Sequence, residues 1–367
     1  MQLSTLVHRF GTPLFITSQK RLLEEVERFR RFFPRIKPYY AVKANSDLNI
    51  IRALIRARLS FDVASREEME LVLKNGAKAE DIIFAHPIKP PRSLIFARRK
   101  GVRLMTFDSE YELDKINRFY PGVEVLVRIK VPNVGSMVEL SIKFGADPVD
   151  AIPLLIKAHR LGLKPVGVCF HVGSQCTRVQ NYVDALEMSS IIVRDAQLKQ
   201  IPLKIVDIGG GFPISYFDEK EDNLKKFALV INREIDRLFD SLIQFIAEPG
   251  RVLVGPASTL VMRVIGKSIR ANKHWYYLDD GLYGGLSGIV YDHGKYKFKV
   301  LAKGPKQLST LAGPTCDSLD IISTSEELPE LEVGDIVYVE NIGAYSLASA
   351  TSFNGLPPPR SIFLKDN

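Results

Sequence analysis

Cysteine and histidine are scarce in this chain, and neither is arranged as a ligand set. The 367 residues include three cysteines, Cys169, Cys176 and Cys316, without a Cys-x-x-Cys pair. This sparse, odd number indicates a reducing compartment and argues against a disulfide framework. The six histidines are dispersed, without His-x-x-x-His or Cys-His spacing. The sequence therefore predicts no metal site.

Long hydrophobic runs are also absent, because charge interrupts every apolar stretch well before the ~18 residues that a membrane-spanning helix needs. The first residues, "MQLSTLVHRFGTPLFITS", lack the basic and apolar segments of a secretory signal. We therefore expect a cytoplasmic protein without a membrane partner. The formal net charge is +8, but Lys and Arg are interleaved with acids in helical segments such as "EEVERFRRFF". That pattern predicts solvated helix faces and no nucleic-acid partner.

Short β-branched or aromatic runs alternate with segments of helical periodicity up to Arg251. The runs are "KPYYAVKA", "SFDVAS", "DIIFAHP", "VRLMTFDS", "VEVLVRIKV", "KPVGVCFHVGS", "LKIVDIGGG" and "IQFIAEPGR". Segments such as "REEMELVLKNG" and "DAIPLLIKAHRLG" lie between them and have the helical period. This repeated alternation is typical of a closed parallel (β/α)8 barrel, an α/β fold, whereas an open doubly wound sheet would suit fewer strands. We predict the barrel over residues 18–255.

After Arg251 the pattern becomes strand-like, with Gly, Asp and Pro at the turns. The segments are "VGPASTLVMRVIGKSI", "HWYYLDDG", "SGIVYDHGKYKFKVLAKG" and "VGDIVYVENIGAYS". They predict a mostly antiparallel β domain over residues 256–367. The early run "GTPLFITS" reads as a strand ahead of the barrel, so we assign residues 1–17 to the same sheet.

A candidate phosphate site follows the last two predicted barrel strands, where such barrels commonly hold phosphate. Gly209, Gly210 and Gly211 follow the seventh strand, and their backbone N–H groups can approach an anion closely because no Cβ intervenes. A plain tight turn would usually need only one glycine. Arg251 follows the eighth strand and offers a fixed cation for a bidentate phosphate contact.

Four further side chains are predicted at the same end of the barrel. Lys43 follows the first strand, His171 and Ser174 follow the sixth, and Glu248 follows the eighth. A lysine amine can bond covalently to a cofactor aldehyde, a flat imidazole can stack on a pyridine ring, and a carboxylate can keep the ring nitrogen protonated. With a phosphate site, these groups are what pyridoxal 5'-phosphate (PLP) requires. A phosphosugar enzyme would need neither Lys43 nor Glu248.

The order of these motifs resembles that of a known family over nearly the whole chain. "YYAVKAN", "FDVASREEME", "LVRI", "FHVGS", "DIGGGFP" and "EPGR" are similar to motifs of the fold type III, barrel-type PLP-dependent basic amino-acid decarboxylases. The resemblance implies catalytic roles for Lys43, Cys316, His171 and Glu248. The cofactor-binding residues that it implies are Lys43, Asp62, Glu68, Arg128, His171, Ser174, Gly209, Gly210, Gly211, Glu248, Arg251 and Tyr345.

The β domain carries further motifs that resemble the same family. "DDGLYG" contains Tyr283, "GPTCDSLD" contains Cys316 and Asp317, and "ENIGAYSLASATSFNG" contains Phe353. In the family the Cys-Asp pair reaches the active site of the other subunit, so the resemblance implies a homodimer with shared sites. It also implies that Cys316 returns a proton to the substrate carbon after carbon dioxide leaves.

The expected substrate depends on what meets the far end of its side chain. The segment that resembles the family's specificity region, "GIVYDHG", contains Tyr291 and Asp292, and no arginine occurs from Leu282 to Gly294. A carboxylate pocket favours a cationic end group over the carboxylate of diaminopimelate. We expect L-ornithine to be decarboxylated to putrescine and CO2, in polyamine biosynthesis, with Asp292 and Asp317 at its distal amine. The substrate-binding residues are then Tyr283, Tyr291, Asp292, Asp317 and Phe353.

Other functions remain open at this point. Lysine is one methylene longer than ornithine, which is worth only ~1–3 kcal/mol of discrimination, so L-lysine is a plausible secondary substrate. Arginine decarboxylation on the same fold is the main alternative. A non-catalytic regulatory homologue would be expected to have lost the lysine, the glycines or the Cys-Asp motif. An amino-acid racemase of this fold would pair the ring nitrogen with arginine, where this chain has Glu248.

Overall fold

The computed structural model describes residues 3–138, 142–216 and 223–365. Contacts divide the chain into two compact units. The barrel unit comprises Val26–Ile214 and Glu221–Val252, and the sheet unit comprises Met1–Glu25, Ser215–Lys220 and Leu253–Asn367. The division into folding domains at 18–255 against 1–17 and 256–367 stays a prediction.

The α-helices of the described residues are α1 (Leu3–Phe10), α2 (Gln19–Phe32), α3 (Leu48–Arg56), α4 (Arg66–Lys74), α5 (Pro91–Lys100), α6 (Glu110–Phe119), α7 (Ala151–Arg160), α8 (Gln180–Leu198), α9 (Asn223–Leu238), α10 (Arg251–Val254) and α11 (Gly288–Tyr291). None of these helices combines the length and the apolar character needed to cross a membrane.

The barrel strands are β2 (Ile36–Ala41), β3 (Ser60–Val63), β4 (Ile82–Phe84), β5 (Leu104–Phe107), β6 (Glu124–Arg128), β7 (Lys164–Cys169), β8 (Ile205–Asp207) and β9 (Gln244–Ala247). Each strand pairs in parallel with the next, and β9 pairs with β2, so the sheet closes into a barrel. The predicted fold class is confirmed. Each of the eight predicted runs overlaps one of these strands. We call the end of the barrel where the strands terminate its mouth.

Local sequence signals explain where several barrel helices begin. The Asp47 carboxylate accepts the N–H groups of Asn49 and Ile50 at the start of α3, and the Ser65 hydroxyl accepts the N–H of Glu68 at the start of α4. These side chains satisfy backbone donors that have no partner inside the helix. At the other end of α5, Gly101 has a φ of +77° and closes the helix in the left-handed conformation.

The remaining strands are β1 (Leu14–Ser18), β10 (Ser258–Arg270), β11 (Lys273–Leu278), β12 (Phe298–Val300), β13 (Gln307–Ala312), β14 (Ile321–Leu328), β15 (Ile336–Glu340) and β16 (Arg360–Leu364). Their sheet runs β12-β15-β10-β11-β13-β14, and β1 pairs antiparallel with β10 and parallel with β16. Its core includes Leu260, Tyr276 and Val339, each 0% exposed. The predicted, mostly antiparallel β fold is confirmed.

Two segments differ from the sequence-based expectation. Residues Leu3–Phe10 form a helix that the sequence did not indicate, and the strand-like "GIVY" forms α11. Within and just after α11, the N–H of Tyr291 donates to the Ser287 carbonyl and that of Asp292 donates to the Gly288 carbonyl. A four-residue apolar run fits a strand and a buried helical turn equally well, so periodicity could not decide between them.

The packing of α9 gives a testable prediction. Ile231 is 0% exposed, whereas Leu229 on the same helix is 65% exposed. Ile231→Ala should destabilise the protein by ~2–5 kcal/mol, because it removes buried methyl groups and leaves a cavity. Leu229→Ala removes an isomeric side chain from the surface and should change the unfolding free energy by less than ~0.5 kcal/mol. Urea unfolding of both variants, followed by circular dichroism, checks the expectation; equal losses would contradict the packing of α9.

Candidate active site

The lysine at the barrel mouth is held by an acid on the neighbouring strand. Lys43 lies in a single helical turn, Val42–Ala44, directly after β2. Its Nζ lies 2.8 Å from Asp62 Oδ2 on β3, and Asp62 is only 1% exposed while the lysine side chain is 41% exposed. The other oxygen, Asp62 Oδ1, is buried without a hydrogen-bond partner among the described residues. Asp62 therefore orients the amine and keeps acceptor capacity for a ligand.

Glu68 stands close to this pair at the start of α4. Its Oε2 accepts the N–H of Ala64 at 2.7 Å. Burial raises the pKa of Glu68, and the nearby Asp62 carboxylate raises it further. Lys43 therefore sits beside two acids of different character, since burial favours the neutral form of Glu68.

The three glycines after β8 lie against neighbouring backbone atoms. A Cβ at Gly209 would lie 2.3 Å from the Phe170 carbonyl oxygen, and one at Gly210 would lie 2.6 Å from that of Glu248. Gly211 has a φ of +95°, and its Cβ would lie 2.2 Å from the Gly173 carbonyl oxygen. A larger residue would have to displace the backbone at each position.

The His171 ring lies beside this glycine loop. A Cβ on Gly210 would lie 3.3 Å from His171 Nε2. His171 Nδ1 accepts the N–H of Gly173 at 3.1 Å. Burial, followed by the charges of Arg128 and Lys43, lowers the pKa of His171 well below its usual value. The imidazole is therefore neutral, and with Nδ1 as acceptor its hydrogen is on Nε2.

A hydroxyl and a guanidinium meet at the same mouth. Arg251 Nη2 donates to Ser174 Oγ at 2.9 Å, and Arg251 is 4% exposed. Ser174 is fixed by its backbone, whose N–H donates to Val138 and whose carbonyl accepts from Met137. A fixed hydroxyl and a fixed cation next to each other suit a phosphate group.

Arg128 ends β6, and its guanidinium lies 5.4 Å from the centre of the Phe144 ring. Burial and then the charge of Arg128 lower the pKa of His171, whereas for Asp207 and Glu248 the charge of Arg128 opposes the rise in pKa that burial causes. Arg128 is thus a cation close to all three groups, whereas in the sequence only the resemblance of "LVRI" to the family pointed to it.

Two buried carboxyl groups lie at the ends of the adjacent strands β8 and β9, and the family resemblance implies a role for only one of them. Glu248 is 7% exposed and Asp207 is 0% exposed. Burial and then the Asp207 charge raise the pKa of Glu248 well above its usual value, and burial raises the pKa of Asp207 to about 7. Asp207 is the first residue of "DIGGGFP", so its position at a strand end could have identified it. The pairing of Asp207 with Glu248 could not be found without the fold.

The sheet unit brings together a second set of predicted residues. The Tyr283 hydroxyl donates to the Asp317 carboxylate, and the Tyr283 ring stacks on Phe353 with 4.4 Å between ring centres. The hydrogen bond raises the pKa of Tyr283 to about 12. The N–H of Leu319, and then Tyr283, lower the pKa of Asp317. Asp317 is therefore an ionised acceptor beside an aromatic pair.

The Cys316 thiol is exposed, and the backbone N–H of Cys316 donates to Asn354 Oδ1 at 3.0 Å. Asp320, which the sequence analysis passed over, organises the loops on both sides. Its carboxylate accepts the N–H of Leu282 at 2.8 Å and the hydroxyl of Thr315 at 2.8 Å. These bonds fix the residues next to Tyr283 and Cys316.

The remaining predicted residues also lie in the sheet unit. Asp292, just after α11, is 6% exposed, whereas Tyr291 is 64% exposed. Gly288, at the start of α11, faces the Tyr345 carbonyl, and a Cβ there would lie 2.7 Å from that oxygen. The structure thus places Asp292 and Tyr345 in one neighbourhood and pairs Asp317 with Tyr283.

The barrel mouth fits PLP on observations of this chain alone. The glycine loop leaves no room for a Cβ, the buried Asp62 Oδ1 has no hydrogen-bond partner in the part of the chain that the structure describes, and Ser174 and Arg251 offer adjacent polar groups. Residues 19–255 match the family described as pyridoxal-dependent decarboxylase, pyridoxal binding domain. The chain belongs to this family. The predicted family and the predicted cofactor are confirmed.

Relatives of this chain are named for several basic amino acids. It is 40% identical to the lysine/ornithine decarboxylase of Selenomonas ruminantium, a match covering 100% of this chain and 93% of that protein. The crystal structure of the Vibrio vulnificus lysine/ornithine decarboxylase complexed with putrescine gives a TM-score of 0.93 at 34% identity, covering 99% and 97%. The arginine decarboxylase of Paramecium bursaria Chlorella virus bound to agmatine gives 0.93 at 31%, covering 99% of each chain.

The glycine loop gives a prediction for cofactor binding. Gly211→Ala should weaken PLP binding about ten-fold or more, since a loss of ~1.4 kcal/mol in binding corresponds to ten-fold and the added Cβ must move the loop. Gly162→Ala is the matched control, because Gly162 has a φ of +77° and nothing within 4 Å of the added Cβ. PLP titration followed by absorbance measures both. Equal affinity in the two variants would mean that the loop does not hold the cofactor.

Proposed function

We propose that this decarboxylase converts L-ornithine to putrescine and CO2, that it accepts L-lysine as a secondary substrate, and that it works as a cytoplasmic homodimer. The observation that carries the proposal is the barrel mouth, where Lys43 lies 2.8 Å from Asp62, His171 follows β7 and Glu248 follows β9. PLP bound there withdraws electrons from the bond between the substrate Cα and its carboxylate, so that CO2 can leave.

The residues of the mouth divide the work of binding and orientation. Lys43 supplies the amine that bonds to the cofactor, and Asp62 holds that amine in place. The neutral His171 ring would stack on the pyridine without adding a positive charge. Glu248 would contact the ring nitrogen, and Ser174, Arg251 and the N–H groups of Gly210 and Gly211 would bind the phosphate. These assignments follow the family resemblance, and the contacts of Lys43 with Asp62 and of Arg251 with Ser174 support them.

Cys316 and Asp317 complete the site of the second subunit in this proposal. The exposed Cys316 thiol returns a proton to the substrate carbon after CO2 leaves, and the Asp317 carboxylate binds the distal amine. Tyr283, whose ring centre lies 4.4 Å from that of Phe353, holds the Asp317 carboxylate through its hydroxyl. Asp320 positions both loops through its bonds to Leu282 and Thr315.

The preference for ornithine rests on charge and on the relatives. Asp292 is 6% exposed, and a carboxylate in the substrate pocket favours a cationic end group over an anionic one. The Selenomonas ruminantium relative is named for lysine and ornithine at 40% identity, whereas the arginine decarboxylase is 31% identical. Lysine differs from ornithine by one methylene, which supports its role as the slower substrate.

The decisive assay is CO2 release from L-ornithine, L-lysine, L-arginine and meso-diaminopimelate, with Lys43→Ala as the blank. We expect kcat/KM for ornithine to exceed that for lysine by ~10–200-fold, the range that one methylene permits. If arginine or diaminopimelate is decarboxylated fastest, the assignment of ornithine as the substrate is wrong. If no compound releases CO2, the assignment of decarboxylase activity is wrong.

Asp292→Ala should raise the ornithine KM ~10–100-fold while PLP stays bound. An unchanged KM would show that Asp292 does not bind the distal amine.

Shared active sites can be tested by mixing two inactive variants. Lys43→Ala and Cys316→Ala dimers, mixed in equal amounts and allowed to exchange subunits, should recover about a quarter of the wild-type activity. That fraction arises because about half of the random dimers are mixed, and one of the two sites in each mixed dimer has both residues intact. Recovery without subunit exchange, or none after exchange is verified by mass spectrometry, would contradict shared sites.

A further inference from the structure

Asp207 and Glu248 form a pair of buried acids tied to one glycine. Asp207 Oδ1 accepts the N–H of Gly209 at 2.9 Å, and the N–H of Glu248 donates to the Gly209 carbonyl at 2.8 Å. Strands β8 and β9 pair in parallel with Asp207 opposite Ile246, two residues before Glu248. The two carboxyl groups are 0% and 7% exposed. The barrel backbone therefore holds Asp207 and Glu248 beside the same glycine.

Two neighbouring carboxylates at so little exposure cannot both ionise without strong repulsion. The charged and titratable groups that face them are Asp62 on β3, Lys43 after β2, Arg128 on β6 and Cys169 on β7. Lys43 and Arg128 carry two positive charges and Asp62 carries one negative charge. One negative charge on the pair therefore makes the cluster neutral, whereas two would leave a net buried anion.

We propose that Asp207 and Glu248 share a single proton and that this pair supplies the proton carried by the ring nitrogen of the bound cofactor. Asp207 is then a positioning residue for Glu248. This inference rests on the proposed placement of the cofactor ring at Glu248 and names a residue beyond it.

The proton transfer balances in charge. The pair passes from a monoanion to a dianion when Glu248 gives its proton to the ring nitrogen, and the nitrogen passes from neutral to singly positive. The total charge stays at minus one, and no other proton is needed. The new positive charge on the nitrogen is stabilised by both carboxylates. The charge of Asp207 therefore helps to keep the ring nitrogen protonated, although only Glu248 would contact that nitrogen.

Infrared spectroscopy of the protein before and after loading with PLP tests the shared proton in the wild-type chain. The carboxylic acid C=O band of the pair should be present near pH 6.5 without cofactor and should disappear on loading. The band is expected at pH 6.5 because burial raises the pKa of Asp207 to about 7, and a carboxyl group holds its proton below its pKa. Because Glu68 and Asp280 are also buried acids with raised pKa values, the band of the pair is identified by its loss or shift in Asp207→Asn. A band of the pair that persists after loading would overturn the proposal.

Asp207→Asn tests the positioning role, with 15N-labelled PLP as the probe of ring-nitrogen protonation. Asparagine keeps an oxygen for the Gly209 N–H but cannot ionise. The ring nitrogen should lose its proton at a pH lower by about one unit or more than in the wild type. Asp108→Asn is the matched control, since the Asp108 carboxylate also accepts a glycine N–H, that of Gly145 at 2.9 Å, and should leave the titration unchanged.

Equal nitrogen titrations in the Asp207 and Asp108 variants would show that Asp207 only holds the glycine loop, and the proposal would fall. A chain that binds PLP and passes both spectroscopic tests but releases no CO2 would leave the proton pair intact and overturn the proposed function. Neither readout uses turnover, so the two failures are distinguishable.

Discussion

Closure of the eight-stranded parallel sheet is the constraint on which the rest of the site depends. Parallel strands that pair all the way round must end at the same rim. Lys43, Asp62, Arg128, His171 and Glu248 follow or end five different strands, and they are neighbours for that reason alone. Without closure between β2 and β9, Lys43 and Glu248 would lie on opposite edges of an open sheet. The loop after β8 requires glycine because the same rim brings backbone carbonyl oxygens within 2.6 Å of the position that a Cβ would occupy.

The balance of charge at the mouth is the second constraint. Burial opposes ionisation of Glu68, Asp207 and Glu248 and opposes protonation of His171. Two fixed cations, Lys43 and Arg128, act in the other direction on the acids. A cofactor with an anionic phosphate and a ring nitrogen that needs a proton suits such a mouth, because each of its charges meets an opposite one.

Many residues of this site, but not all, could be predicted from the sequence. Lys43, His171 and the glycines could be assigned because a strand end followed by a reactive or small residue is visible in a linear pattern. The same rule applied to Asp207, yet its meaning depends on Glu248, which is 41 residues away and becomes its neighbour only through β8–β9 pairing. The sequence pattern could not predict the helical turn of "GIVY" or the loop hydrogen bonds of Asp320 either. Short segments take their conformation from the residues they pack against.

The sequence by itself determined the barrel, the antiparallel sheet, the family and the cofactor, because hydrophobic period and ordered motifs are properties of the linear chain. Only the tertiary structure decided the state of each group. The neutrality of His171, the raised pKa of Glu248 and the pairing of Tyr283 with Asp317 depend on burial and on neighbours brought from distant segments. Desolvation and Coulomb interaction act through space and not along the chain, so no linear pattern records them.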